Sequence, residues 1–175
     1  MPSLLTLPVS PRDHIRGPET APVTLVEYGD FECPQCAAAR PVVARVAETF
    51  GDRLRFVFRH FPLTNNHQSA QHAAEEAEWA AARRAFWPMH DALYAAQQRL
   101  SDDRMLELAA DLGLPVMELQ RAWFEHTFIG RVKEDFASGL ASGVTGTPAF
   151  FINGVRHEGG WDELSLAHAI ETALR

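Results

Sequence analysis

Read from its N-terminus, the chain first shows a β-type pattern. Pro22 to Asp30 holds Val23, Leu25, Val26 and Tyr28, preceded by the turn-forming Gly17-Pro18 and closed by Gly29, which predicts a short buried strand. The period then changes. Ala39, Val42, Val43, Val46 and Phe50 recur at helical spacing, so an amphipathic helix should follow Cys33 and end near Gly51. Leu54 to Phe61 returns to alternation, with Leu54, Phe56 and Phe58 on one face and Arg55 and Arg59 on the other, although Val57 interrupts it. Strand, helix and strand make a βαβ unit with room for a right-handed parallel crossover.

From Asn66 to about Gly143 the pattern is almost wholly helical. Ala70 to Ala82 is alanine-rich, Pro88 suits the first turn before a helix over Met89 to Leu100, and Ser101-Asp102-Asp103 caps a helix ending at Gly113. Pro115 opens another, and Ile129, Val132, Phe136 and Leu140 mark a further one stopping near Gly143. Trp79, Phe86, Trp87, Trp123 and Phe124 fall at helical positions and are assigned to the core. After Thr147-Pro148, Ala149 to Ile152, Asn153-Gly154 and Val155 to His157 read as strand, turn and returning strand. A last helix from about Asp162 carries Leu166, Ile170 and Leu174. The expectation is an α/β fold: a single domain over 1–175, made of a frame at 13–62 and 144–175 with an all-helical insertion at 63–143.

Composition narrows the function. With 46% hydrophobic and 22% charged residues in 175, the chain has a globular composition and room for one packed core. A net charge of -7 disfavours any partner whose binding depends on neutralising phosphates, so nucleic acid is not expected. Charges and prolines break every apolar run before it reaches bilayer length, so no membrane insertion is expected. Met1 to Arg12 lacks a basic n-region, and its one apolar stretch, Leu4 to Val9, is interrupted by Thr6 and Pro8. A cytoplasmic location is the expectation for the sequence as it stands, unless the N-terminus has been trimmed.

The two cysteines lie together in Cys33-Pro34-Gln35-Cys36. A loop this short restrains almost nothing, so the pair is chemical rather than architectural. A thiol attacks as thiolate, and a helix N-terminus lowers a cysteine pKa because its backbone N–H groups and dipole favour the anion. The strand-to-helix change places Cys33 at such a terminus. Cys36 sits one turn further in, within reach of a mixed disulfide on Cys33.

A strand, Cys33-Pro34-Gln35-Cys36, a helix, an all-helical insertion and then Thr147-Pro148 before a hairpin resemble the DsbA-like thiol–disulfide oxidoreductases of the thioredoxin superfamily, over nearly the whole chain from about Pro22. The resemblance implies a thioredoxin-like fold, a mixed central sheet flanked by helices, with the helical insertion as a subdomain. It implies that Cys33 is the exposed nucleophile, Cys36 the buried resolving cysteine, and Pro148 a cis-proline facing them, with Thr147 offering backbone groups to an extended substrate. Glu27, six residues before Cys33, matches the family's buried acid, and Pro41 the kink proline of the active-site helix. No separate cofactor is implied beyond the Cys33–Cys36 disulfide. The implied partners are thiol- or disulfide-containing proteins or small thiols, with a recycling thiol or disulfide partner. Where the most oxidising members carry histidine, this chain has Gln35, an amide that can donate a hydrogen bond but cannot add a full charge. A weaker oxidant follows, and Glu32 would act in the same direction if its charge approached the sulfur.

Other readings stand beside this one. The cysteines could be inert buried thiols or half of a zinc site completed by His60, His67, His72 or His90, although the βαβ context favours redox chemistry and no metal site is assigned. Each histidine otherwise reads as a surface or hydrogen-bonded structural residue. Glu27 could be a surface carboxylate, and Pro148 an ordinary trans turn proline. A glutathione-dependent isomerase or transferase, or a non-enzymatic metal-binding module, would share the frame, but the intact Cys-x-x-Cys argues against the former.

Overall fold

The computed structural model describes residues 3–175. Its strands are β1 (His14–Arg16), β2 (Val23–Gly29), β3 (Leu54–His60), β4 (Ala149–Ile152) and β5 (Val155–Arg156), in the spatial order β1-β3-β2-β4-β5. The central β2 and β3 run parallel and the remaining pairs are antiparallel. The parallel pair is joined through α1 (Pro34–Phe50), as the βαβ pattern requires. Between β3 and β4 lie α2 (Ala70–Ala81), α3 (Phe86–Ala95), α4 (Asp102–Asp111), α5 (Val116–Phe124) and α6 (Ile129–Ala141), and α7 (Glu163–Ala173) closes the chain.

Alternation along β2 divides the core in two. Val23 and Leu25 face α1 with Phe56, Phe58, Phe150 and Ile152, while Val26 and Tyr28 join Val57, Phe151 and, from α6, Phe136 on the other side. Glu27 therefore points to the α1 side, opposite Phe58 and Phe150 in register. On the other side, α6 approaches closely at Gly139, where a Cβ would lie 2.7 Å from the Phe61 ring and 3.1 Å from Tyr28. Local signals end several elements. Ser101 accepts the Arg104 N–H and Asp162 the Ser165 N–H at the starts of α4 and α7. Asn153 and Gly154, with φ of 48° and 81°, form the tight β4–β5 turn.

The structure adds to the sequence expectation or departs from it at four places. β1 forms, although three residues carry too little periodicity to announce it. α3 begins at Phe86, so Pro88 lies inside its first turn, and it ends at Ala95 before a separate single turn at Gln97–Arg99. Arg59 lies on the face opposite Phe58, as the alternation requires, and that face is covered as well: it is fully buried, with Asp13 at 2.8 and 3.1 Å, the Tyr28 hydroxyl at 3.0 Å and the carbonyls of Leu7 and Pro8 around it. A buried guanidinium persists when its donors are matched in this way, and the N-terminal segment supplies most of the partners. Phe124 is 89% exposed at the end of α5, and Leu140 on α6 is also exposed, whereas Trp79, Phe86 and Trp123 are buried as core residues.

Candidate active site

Cys33 is the N-cap of α1, with Pro34 as the first helical residue, where a missing N–H costs nothing. Its sulfur lies 3.4 Å from the Thr147 carbonyl oxygen, across the loop that leads into β4. The Thr147–Pro148 peptide bond is cis. Both cysteines are free thiols, Cys33 only 6% exposed and Cys36 fully buried. Pro34 and Gln35 are exposed at the surface above them. Pro41 lies inside α1, on its exposed side, and removes one backbone hydrogen bond from the helix.

The two thiols titrate in opposite directions. The Cys33 pKa is lowered to about 5, chiefly by a hydrogen bond from the Cys36 thiol; burial opposes this, while Thr147 and the backbone N–H groups of Cys36 and Gln35 reinforce it. Burial pushes the Cys36 thiol far above the ordinary range, aided by its bond to Cys33 and by the charges of Glu27 and Cys33. Glu27, buried on β2, is pushed up to about 8 by desolvation and then by the charge of Cys33. A cavity of about 450 Å³ runs behind α1 and is lined by Glu27, Pro41, Val43, His90, Asp91 and Tyr94.

The loop carrying Cys33 is fastened on three sides. Buried Asp30 accepts the N–H of Glu32 and of Leu63, each at 2.8 Å, and pairs with His67 Nδ1 at 2.7 Å. Burial works against protonation of His67, but its hydrogen bond and charge contact with Asp30 raise its pKa. Glu32 accepts the Ser69 N–H at 2.7 Å. Gln97 donates to the Phe31 and Cys33 carbonyls at 2.9 and 2.7 Å. Pattern reasoning missed Asp30, Ser69 and Gln97; Asp30, beside the motif in a turn, carried a weak signal, and Gln97 carried none.

The four histidines considered beside the cysteines are engaged elsewhere. His67 is on Asp30, His72 pairs with Asp102 and His90 with Asp91, while His60 and His14 both reach Glu78 Oε1, at 2.8 and 2.7 Å. The last three form the one group among the described residues with the donor types and proximity of a metal site. Their separations are those of hydrogen bonds, shorter than the roughly 3.3 Å between donors around a tetrahedral ion with 2.0–2.1 Å bonds. The group is a hydrogen-bonded tie between β1, β3 and α2, and it holds the Glu78 carboxyl below the usual carboxylate range despite burial.

The sequence model of the Thioredoxin family matches residues 9–172. Among curated proteins, the chain is 44% identical over 171 residues to a protein of Salinispora tropica named Na(+)/H(+) antiporter NhaA 3, and 45% identical over 171 residues to Na(+)/H(+) antiporter NhaA 1 of Salinispora arenicola. These matches take in 97% of the chain but 26% of each relative, so the chain spans about a quarter of their length. Among solved structures, BdbD from Bacillus subtilis in its oxidised form superposes with a TM-score of 0.88 at 21% identity, over 99% of both chains. Alpha-DsbA1 from Wolbachia pipientis superposes at 0.80 with 22% identity, over 97% of this chain and 94% of that one. A thioredoxin-like oxidoreductase from Silicibacter pomeroyi gives 0.81 at 24% identity, over 94% of both.

Proposed function

The chain belongs to the thioredoxin family, in the DsbA-like form of its fold, and on that premise we propose that it is a thiol–disulfide oxidoreductase acting through Cys33 and Cys36. The observation that carries this reading is the opposite treatment of two thiols one helical turn apart, one held as an anion and one as a protected acid. The Cys33 thiolate attacks one sulfur of a substrate disulfide, forming a mixed disulfide and releasing the other sulfur as a thiolate. Cys36 then loses its proton to Glu27 and attacks Cys33. The Cys33–Cys36 bond forms, the second substrate thiolate leaves and takes up a proton, and the substrate has gained the two electrons that the cysteine pair has lost. In reverse the same steps oxidise a dithiol.

Glu27 suits the proton step because an acid near pH 8 stands closer to a thiol than an ordinary carboxyl does. Thr147 and Pro148 present the edge against which an extended substrate would lie, and the reactive group is the cysteine pair itself, with no separate cofactor. Substrates are thiol- or disulfide-bearing proteins or small thiols, and a second thiol or disulfide partner resets the pair. The antiporter names belong to relatives four times as long. The Thioredoxin match fills nearly all of the present chain, and none of its described helices is long and apolar enough to cross a membrane. We assign it the redox chemistry and not the transport.

Reduced protein mixed with oxidised glutathione should lose both free thiols and end without an attached glutathione. A protein that keeps both thiols, or that stops with glutathione bound, would remove the proposal.

A further inference from the structure

The proposed chemistry needs the N–H groups of Gln35 and Cys36 aimed at the Cys33 sulfur, and the helix by itself does little to hold them there. Cys33 has no side-chain cap bond, and Pro34 contributes no N–H. The first helical bond, from Ala37 N–H to the Cys33 carbonyl, is long at 3.2 Å. The shorter bond to that carbonyl comes from the insertion, from Gln97 Nε2 at 2.7 Å. The same amide donates to the Phe31 carbonyl at 2.9 Å, so both its hydrogens grip the loop, one on the nucleophile and one two residues before it.

We infer that Gln97 is a positioning residue for the nucleophile: by holding the carbonyls of Phe31 and Cys33, it fixes the Cys33–Pro34 peptide so that the first turn of α1 presents its N–H groups to the sulfur. The inference rests on the reading of Cys33 as a nucleophile that attacks as thiolate. Gln97 is a neutral side chain, so its influence passes through peptide orientation. The titratable groups whose pKa feels the Cys33 charge, Glu27 on β2, Cys36 on α1, His67 beside Asp30 and Tyr94 on α3, owe their shifts to burial, to one another and to the acidic groups and not to Gln97. Its side chain is half-buried on the wall of an open cleft of about 770 Å³ shared with Ala37, Tyr94, Arg99 and Arg104, so its removal leaves no sealed void in the core.

The test is the pH profile of iodoacetamide reaction at Cys33 in reduced wild type, Gln97→Met and Gln97→Ala, with Gln98→Ala as a neighbouring exposed control. Gln97→Met keeps length and neutrality but has no donor. Loss of a hydrogen bond network around a charged group should move half-reaction upward, cutting the rate near pH 5 roughly tenfold in both variants. The rates should converge at alkaline pH, where every form is ionised, and Gln98→Ala should follow wild type. Thermal unfolding midpoints show whether each variant is folded. Profiles of both Gln97 variants that overlay a low wild-type profile would overturn the positioning role and leave the redox reading intact. A wild-type profile at the position of a free thiol would overturn both.

Discussion

The first turn of α1 and the layer directly beneath it contain the same side chain in opposite states. Around Cys33, a helix N-terminus and the Cys36 thiol supply hydrogen-bond donors to the sulfur of a residue that keeps 6% of its surface exposed. Around Cys36 there is a sheet face, a buried carboxyl and almost no donor, so desolvation dominates and the proton stays. The difference shows that geometry, more than the chemistry of the thiol, sets the proton affinity of each cysteine. Desolvation penalises any charge, and only the region that returns hydrogen bonds overcomes it. Glu27 belongs to the lower region and carries the same penalty, which with the charge of Cys33 raises its pKa to about 8.

The strongest way to break this comparison is to remove one sulfur at a time. Cys33→Ser should abolish turnover of a disulfide substrate, whereas Cys36→Ser should still attack and then accumulate mixed disulfides, visible by mass as covalent adducts. Substantial turnover by Cys33→Ser would move the nucleophile elsewhere.

Alkylation of the reduced protein sharpens the same contrast without mutation. With a folded pKa of about 5, Cys33 is ionised throughout pH 6 to 8 and its labelling should fall only as pH drops through 5, while Cys36 should stay unlabelled across that range. A Cys36 adduct that appears first, mapped by peptide mass, would reverse the two roles.

Glu27→Gln tests the lower region alone. General acid–base catalysis contributes about 10²-fold or more, so resolution of a preformed mixed disulfide should slow by about that factor at neutral pH, with the Cys33 attack rate nearly unchanged. Burial raises the Glu27 pKa even in the mixed disulfide, where the Cys33 charge that adds to it is gone, so the wild-type resolution rate should rise with pH through a value above the ordinary carboxylate range as the carboxylate becomes available. An equal slowing of both steps would place Glu27 in support of the fold and not in proton transfer.

The smallest effect belongs to the upper region. Gln35 is exposed, so histidine there would bring a partial charge near the sulfur from the solvent side. Since the disulfide has no anion to stabilise, Gln35→His should make the couple more oxidising, by about 30 mV for each 1.4 kcal/mol gained. Equilibration of wild type and variant in the same glutathione buffers measures the shift, and an unchanged or more reducing potential would show that residue 35 does not set the poise. Glu32, considered as a source of opposing charge, is anchored by the Ser69 N–H, and Glu32→Gln combined with Gln35→His measures how much of the shift its charge opposes.

What the sequence determined by itself is whatever repeats within a few residues. The period-2 run of β2, the 3.6-residue period of α1, the caps at Ser101 and Asp162, the Asn153-Gly154 turn and the spacing of Cys33 and Cys36 are local, and local sterics and hydrogen bonding reproduce them in any chain with that order. The same locality explains the errors. The ion pair of Arg59 went unannounced because its partner Asp13 is 46 residues away, and Phe124 looked apolar enough for the core because a helical period does not say which helices pack together. The fastening of the reactive loop had no pattern at all: Gln97 reaches Cys33 across 64 residues and Ser69 reaches Glu32 across 37. Only the packing of the insertion against the frame brings those groups within 3 Å, and only the packing of sheet, α1 and insertion together removes water from Cys36 and Glu27. Their shifted proton affinities are therefore properties of the tertiary structure, because desolvation depends on every element that covers a group and on none of its sequence neighbours in particular.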